Sequence, residues 1–276
     1  MELSLAVTLA VLGAALLHAV WNALVKASED KQLDTYAVAA GSGLIALVLL
    51  PFLPAPAAAS WPWLAASAVV HILYFIFLAG AYRWGELSYV YPIMRGGGPM
   101  IVAATGALAF GEILHAGEWL GLLLICAGIL AFASGAHDRR ATWFALANAL
   151  VIGAYTLIDG AGARASDAPV SYTLWFFAAN GLVITLLGLM QRGGAVPAYL
   201  RRRWLRTAAG GACALGAYGI VLWAMTRAPI ALVAVLRETS VIFAAVIGAV
   251  LLKETMTRRR LLATGAVLAG LMVLKL

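Results

Sequence analysis

Arg95 to Glu112 reads RGGGPMIVAATGALAFGE, and Arg237 to Glu254 reads RETSVIFAAVIGAVLLKE. Each stretch opens on an arginine inside a long apolar run and closes on a glutamate 17 residues later. The two arginines stand 142 positions apart. Under the same offset, GALAFGE from Gly106 aligns with GAVLLKE from Gly248. Further on, Glu118-Trp119-Leu120-Gly121 matches Arg260-Leu261-Leu262-Ala263, and Gly128 matches Gly270. A guanidinium in hydrocarbon costs about 2.5–3.5 kcal/mol on the insertion scale. A duplicated chain that keeps such a pair at matched depth reads most simply as a transporter.

The bulk composition agrees. The 276 residues are 64% hydrophobic and 11% charged, with a mean hydropathy of +0.95. A soluble domain carries roughly 25% charge, so this chain belongs in a bilayer. Ten apolar runs of crossing length recur, at about 3–24, 34–50, 62–82, 87–110, 118–134, 142–160, 169–190, 204–225, 230–251 and 260–274. None alternates in polarity as a barrel strand does, so all ten are read as helices. Met1-Glu2-Leu3-Ser4 lacks a basic leader, and the first run is read as a retained helix. No loop is long enough to fold as a soluble domain. Five runs precede residue 138 and five follow, giving halves 1–137 and 138–276. An odd number of spans per half inverts one copy against the other. The fold expected is an all-α integral membrane protein with ten transmembrane helices in two inverted five-helix repeats. Gly117, Gly121 and Gly128 on the fifth helix, and Gly265 and Gly270 on the tenth, are read as close helix packing.

Several function classes fall away. The net charge of +7 would elsewhere suggest nucleic acid, but the Lys and Arg lie mostly in short loops, and no nucleic-acid motif is present. Loops on the side of the termini hold Arg164, Arg227 and Lys275, while the opposite side holds fourteen basic residues, among them Lys26, Arg139, Arg192 and Arg201 to Arg203. The positive-inside rule then places both termini outside the cytoplasm. Cys126 and Cys213 are read as small buried hydrophobes. His18, His71, His115 and His137 are scattered, so neither a hydrolase triad nor a metal cluster forms. There is no phosphate loop. No enzyme, cofactor or metal site is expected.

The repeat, the Gly111-Glu112 that ends the fourth helix, its Lys253-Glu254 echo and the glycine-rich helix after each resemble the drug/metabolite transporter superfamily, in its ten-helix EamA-type branch. The resemblance covers almost the whole chain. It implies a multi-pass carrier of the inner (plasma) membrane that exports amino acids or other small metabolites by alternating access. It also implies a central cavity lined by the first, third, fourth, sixth, eighth and ninth helices. Family members usually keep both termini in the cytoplasm, and the loop charges here argue the reverse.

Candidate cavity residues follow from polarity in apolar surroundings. Around Arg95, Pro92, Pro99 and three glycines predict a broken helix whose free carbonyls a wet cavity would satisfy; pinning by a buried carboxylate or by helix-end carbonyls is the rival reading. Arg237 lacks such a break, so burial against Glu238 or another carboxylate is the stronger rival reading for it; Glu238 would carry a proton if burial favoured it. A site with both signs suits a zwitterionic or anionic small molecule. His18 and Asn22 share a face of the first helix, with Trp21 beside it. His71, Tyr74 and Tyr82 lie broadly on one face of the third, and Tyr218 lies deep in the eighth. Tyr155 and Asp159 are on the sixth, where Asp159 reads equally as a helix-end carboxylate near Arg164. Glu112 and Glu254 read as helix-end caps, and Trp61, Trp63, Trp143 and Trp204 as interface anchors. The leading function is a secondary carrier of small polar metabolites, contacting lipid and acting as a monomer or weak oligomer. A passive facilitator and a non-transporting assembly or sensor subunit are the alternatives.

Overall fold

The computed structural model describes residues 3–134, 138–251 and 257–274. Among them every regular element is helical. In order these are α1 (Leu5–Lys26), α2 (Lys31–Leu49), α3 (Trp61–Trp84), α4 (Leu87–Phe110), α5 (Ala116–Leu130), α6 (Arg139–Ala165), α7 (Pro169–Arg192), α8 (Ala195–Arg202), α9 (Trp204–Met225), α10 (Ile230–Arg237), α11 (Ser240–Val250) and α12 (Arg258–Val273). Eight segments are long and apolar enough to cross a membrane, one of them α10 and α11 taken together. α5 and α12 are shorter, at 15 and 16 residues.

Sequence places the helix ends. Ser4, Asp30, Asp138 and Thr257 each precede a helix, and each side-chain oxygen accepts a backbone N–H of the first turn. His115 and Glu118 form a reciprocal cap on α5, with Glu118 accepting from the His115 amide at 2.7 Å. Gly111 ends α4 at φ 64°, a left-handed position that glycine takes without cost.

α10 is the centre of the molecule. All eight of its residues are buried, as expected of a helix apolar on every side. In the most apolar window of Ile230–Val250, 61% of residues are buried, against 11% in that of α3, which therefore lies at the lipid-facing edge. The main core packs α10 against α1, α4, α5 and α9, with α12 joining it through α5, and a second core joins α3, α4 and α6.

Two expectations about helix continuity are corrected. α4 runs unbroken through Pro92 and Pro99. Neighbouring helices hold a proline-bearing membrane helix together, and here the glycines bring them close. A Cβ on Gly96 would stand 2.9 Å from Leu130 Cγ, and one on Gly98 2.7 Å from Ile152 Cγ2. These glycines pack the helix; they do not open it. The interruption falls instead in the ninth apolar run, at Glu238 and Thr239. There the Glu238 and Thr239 amides donate to the Val235 and Leu236 carbonyls, at 3.1 and 3.0 Å, three residues back. Thr239 Oγ1 donates to the Leu236 carbonyl at 2.7 Å. A hydroxyl that competes for a helical carbonyl favours such tight turns. α8 was not expected at all; it is a short helix with Val196 buried and Arg201 and Arg202 exposed.

α5 and α12 pack antiparallel through small residues. A Cβ on Gly121 would lie 2.9 Å from the Gly270 carbonyl, and one on Gly270 would lie 2.7 Å from that of Gly121. Gly128 faces Val267 and the Ala263 carbonyl in the same way. Gly117 and Gly265 depart from the packing expected of them and meet nothing within 4 Å. Gly128→Leu is expected to lower the thermal midpoint of the purified protein in detergent, since overpacking costs about 1–3 kcal/mol. Gly265→Leu should leave it unchanged. Equal midpoints for the two would remove this account of α5 and α12.

Candidate functional site

α4 carries Arg95 toward α10, and the turn that ends α10 presents Arg237 and Glu238. Arg95 Nη2 lies 2.9 Å from Glu238 Oε2, and Arg237 Nη2 donates to Glu238 Oε1 at 3.3 Å. The three side chains are 12%, 7% and 3% exposed. Two guanidinium groups thus share one carboxylate, and the centre holds one net positive charge. Its hydrogen bonding is incomplete. Arg95 Nη2 is close to the carboxylate without hydrogen-bonding geometry, and Arg237 Nε is also buried without a partner. Glu238, read from sequence as a cavity residue that would carry a proton if burial favoured it, bridges the two arginines.

Tyr91, Tyr155 and Tyr74 are in electrostatic reach of Arg95, and Tyr155 and Tyr218 in reach of Arg237. Both arginines are in electrostatic reach of His18. His71 packs on Tyr155 at 4.5 Å between ring centres and on Phe176 at 4.9 Å; Tyr74 meets Tyr155 edge-on at 5.8 Å. His18 meets Trp21 edge-on at 5.3 Å, while Asn22 Nδ2 donates to the His18 carbonyl of its own helix at 2.7 Å. Tyr82 is 42% exposed and is not enclosed with its helix-mates His71 and Tyr74.

Asp159 is not a helix-end carboxylate near Arg164. It is fully buried, and accepts Tyr218 Oη at 2.6 Å and Tyr172 Oη at 3.2 Å. Arg164 turns away to Glu112, at 2.6 Å, and to the carbonyls of Met225 and Ala228. Glu112 also accepts the Ile230 amide at 2.8 Å and so caps α10. Glu112 thus caps a helix, though the helix belongs to the other half. Glu254 and Lys253 lie outside the described residues.

Sequence reading missed Tyr91, Tyr172 and Asn148. Tyr91 sits one turn before Arg95, a spacing that places both on one face. Asn148, fully buried, donates to Met94 Sδ at 2.9 Å and leaves its Oδ1 unbonded. At the far end of the bundle, Asp30 meets Arg192 at 2.5 Å, and Asp34 accepts Tyr199 Oη at 3.0 Å and Arg206 Nε at 3.2 Å. The Leu33 amide and then Arg192 hold the Asp30 carboxyl below the ordinary range.

Among the described residues, clefts open between helices. One of about 270 Å³ is apolar and lies between α7 and α9, lined by Thr173, Leu174, Gly216, Gly219 and Trp223. A smaller one of about 80 Å³ runs between α1 and α11 past Asn22 and Lys26. Neither is lined by Arg95, Arg237 or Glu238.

Fold and site together define a multi-pass helical membrane protein with a buried, ionised centre. A family model described as "EamA-like transporter family" matches residues 139–276. The chain belongs to the EamA-like transporter family, within the drug/metabolite superfamily, and is a transporter of small solutes rather than an enzyme. A solved structure titled "Crystal structure of protein" is similar over 97% of this chain and 96% of its own, with a TM-score of 0.75 and 17% identity. At that identity the likeness is one of fold. No curated protein matches.

Proposed function

We propose that this chain is a secondary carrier that exports small polar metabolites such as amino acids by alternating access, with Arg95, Arg237 and Glu238 as its solute-binding centre. One observation carries the reading. Arginines from positions 95 and 237 meet at a single carboxylate, leaving one uncompensated positive charge and two buried guanidinium nitrogens without hydrogen bonds. Such a centre fits the carboxylate of an anionic or zwitterionic solute. The rings of Tyr74, Tyr91, Tyr155 and Tyr218 supply the rest of the binding surface.

The two halves, 1–137 and 138–276, act in this reading as inverted repeats of five helices in an inner (plasma) membrane. Reciprocal contacts support it. Under the 142-residue offset, Gly121 corresponds to Ala263 and Gly128 to Gly270, and the close contacts are Gly121 with Gly270 and Gly128 with Ala263. Exchange of partners across a contact is the mark of a two-fold axis. Ala39 corresponds to Gly181 under this offset, and a Cβ on Gly181 would lie 2.8 Å from the Ala39 carbonyl, a contact between equivalent positions that also fits such an axis. The loop charges place the termini outside the cytoplasm. A reporter fused after Leu276 should therefore be active only in its periplasmic form; cytoplasmic activity would overturn this orientation.

The burial of the centre also favours the second reading, a non-transporting subunit whose charges serve permanent helix contacts. Counterflow in proteoliposomes separates them, using radiolabelled amino acids and organic acids as a panel. A carrier or a facilitator exchanges at least one solute class above empty liposomes, and a non-transporting subunit exchanges none. Repeating the uptake with and without an imposed pH gradient then separates carrier from facilitator.

A further inference from the structure

Asp159 is used neither by the ion pairs nor by the helix ends. It is fully buried in the span Arg139–Ala165, six residues before its end. It forms no ion pair among the described residues. Its two oxygens are held by phenol hydroxyls from two other helices, Tyr172 of α7 and Tyr218 of α9. From α3, His71 is in electrostatic reach and Ser67 in hydrogen-bonding reach. From α10 the apolar Ile230 packs at the neighbouring Gly160. Tyr155 lies one turn back on its own helix. An ionisable residue held inside a membrane span usually marks an ion or proton pathway.

We infer that Asp159 is a proton-binding site, and that a proton there and an anion at the arginine centre favour one another. This rests on the arginine centre being the solute site. Two features carry it. The first is chemical. A phenol hydroxyl both donates and accepts, so Tyr172 and Tyr218 keep Asp159 hydrogen-bonded whether it is a carboxylate or a carboxylic acid. A lysine or arginine in their place would hold it in one state. His71 differs in this respect, because its Nδ1 faces the Ser67 carbonyl at 2.9 Å and must carry its hydrogen there.

The second feature is the charge balance. Arg95, Arg237 and Glu238 sum to one positive charge, and ionised Asp159 cancels it. With Asp159 protonated, the interior keeps one positive charge, which an anion between the arginines neutralises. Tyr218 links the two sites, donating to Asp159 while in electrostatic reach of Arg237. Linkage makes the coupling reciprocal: an anion that favours the proton is favoured by it to the same degree. The carrier therefore moves proton and anion together, and a solute gradient in one direction draws protons in that direction.

Infrared spectroscopy of the reconstituted protein tests this without a substrate, so its outcome is separate from that of the counterflow assay. Wild type should show a carboxylic-acid carbonyl band that fades as pH rises, and Asp159→Asn should lack that titrating band. At a fixed pH near the wild-type midpoint, Arg237→Gln should raise the protonated fraction and Glu238→Gln should lower it, each by a several-fold change in the acid-to-carboxylate ratio. Should Asp159→Asn not fold, Asp159→Glu keeps the carboxyl and must displace the band or its midpoint. The inference is overturned if wild type and the Asp159 variant titrate alike. It is also overturned if neither charge variant moves the protonated fraction.

Discussion

Glu238→Ala is expected to be the most destabilising single substitution in the chain. It leaves Arg95 and Arg237 facing one another in a buried centre with no carboxylate between them. Removing one partner of a buried ion pair costs about 3–5 kcal/mol, because the remaining charge stays uncompensated. Here two like charges remain, so the loss should fall at the upper end of that range. Thermal unfolding of the detergent-solubilised protein, followed by circular dichroism, reads it directly. The double variant Glu238→Ala with Arg237→Ala removes one charge of each sign and restores the net charge of wild type. It should recover part of the lost midpoint. If the double variant is less stable than Glu238→Ala, the charge argument fails and packing around α10 explains the effect.

Arg95→Lys should separate binding from folding. Lysine keeps the positive charge opposite Glu238, so the thermal midpoint should change little. It loses the planar fork that pairs with a carboxylate in two places. Counterflow of a carboxylate-bearing solute should fall by about a hundredfold, equivalent to about 2.7 kcal/mol, while the protein remains folded. Arg95→Ala should lose both. A lysine variant that transports normally would reduce Arg95 to a counter-charge for Glu238. One that unfolds like alanine would make the guanidinium a packing element.

The helices themselves were legible because apolar length is nearly all a membrane span needs, and nine of the ten expected runs are single helices within a few residues. The exception is the ninth run, and the fourth is its converse. Two prolines and three glycines in the fourth run predict a break, yet α4 is continuous, because α5 and α6 close on Gly96 and Gly98 and hold it together. The ninth run has no proline or glycine near Arg237. It breaks there because Arg237, Glu238, Thr239 and Ser240 are consecutive polar residues, and the side chains of Arg237, Glu238 and Thr239 make local bonds. Polarity, rather than intrinsic helix propensity, was the better sign of where backbone regularity is lost.

The candidate site was legible in its parts. Arg95 and Arg237 stand out by cost alone, Tyr218 by depth, and His71 and Tyr155 by polarity within apolar runs, while Asp159 reads equally as a helix-end carboxylate. Their partners were not legible. Adjacent residues Arg237 and Glu238 face about 100° apart on an ideal helix, and it is at the tight turn after Arg237 that one carboxylate meets both arginines. Tyr172 lies close to the start of α7, where an aromatic ring reads as an interface anchor. That it reaches Asp159 depends on Gly162, over which its ring packs; a Cβ there would lie 2.3 Å from Tyr172 Oη. Tyr82 shows the converse, since a shared helix face says nothing of whether a neighbouring helix covers it.

The central claim is that Arg95 and Arg237 form the solute-binding centre. Counterflow by Arg95→Ala and by Arg237→Ala, each normalised to folded protein recovered in the proteoliposomes, tests it most directly. Both variants should lose nearly all exchange of the solute that wild type carries. Exchange at the wild-type rate by both would contradict the claim.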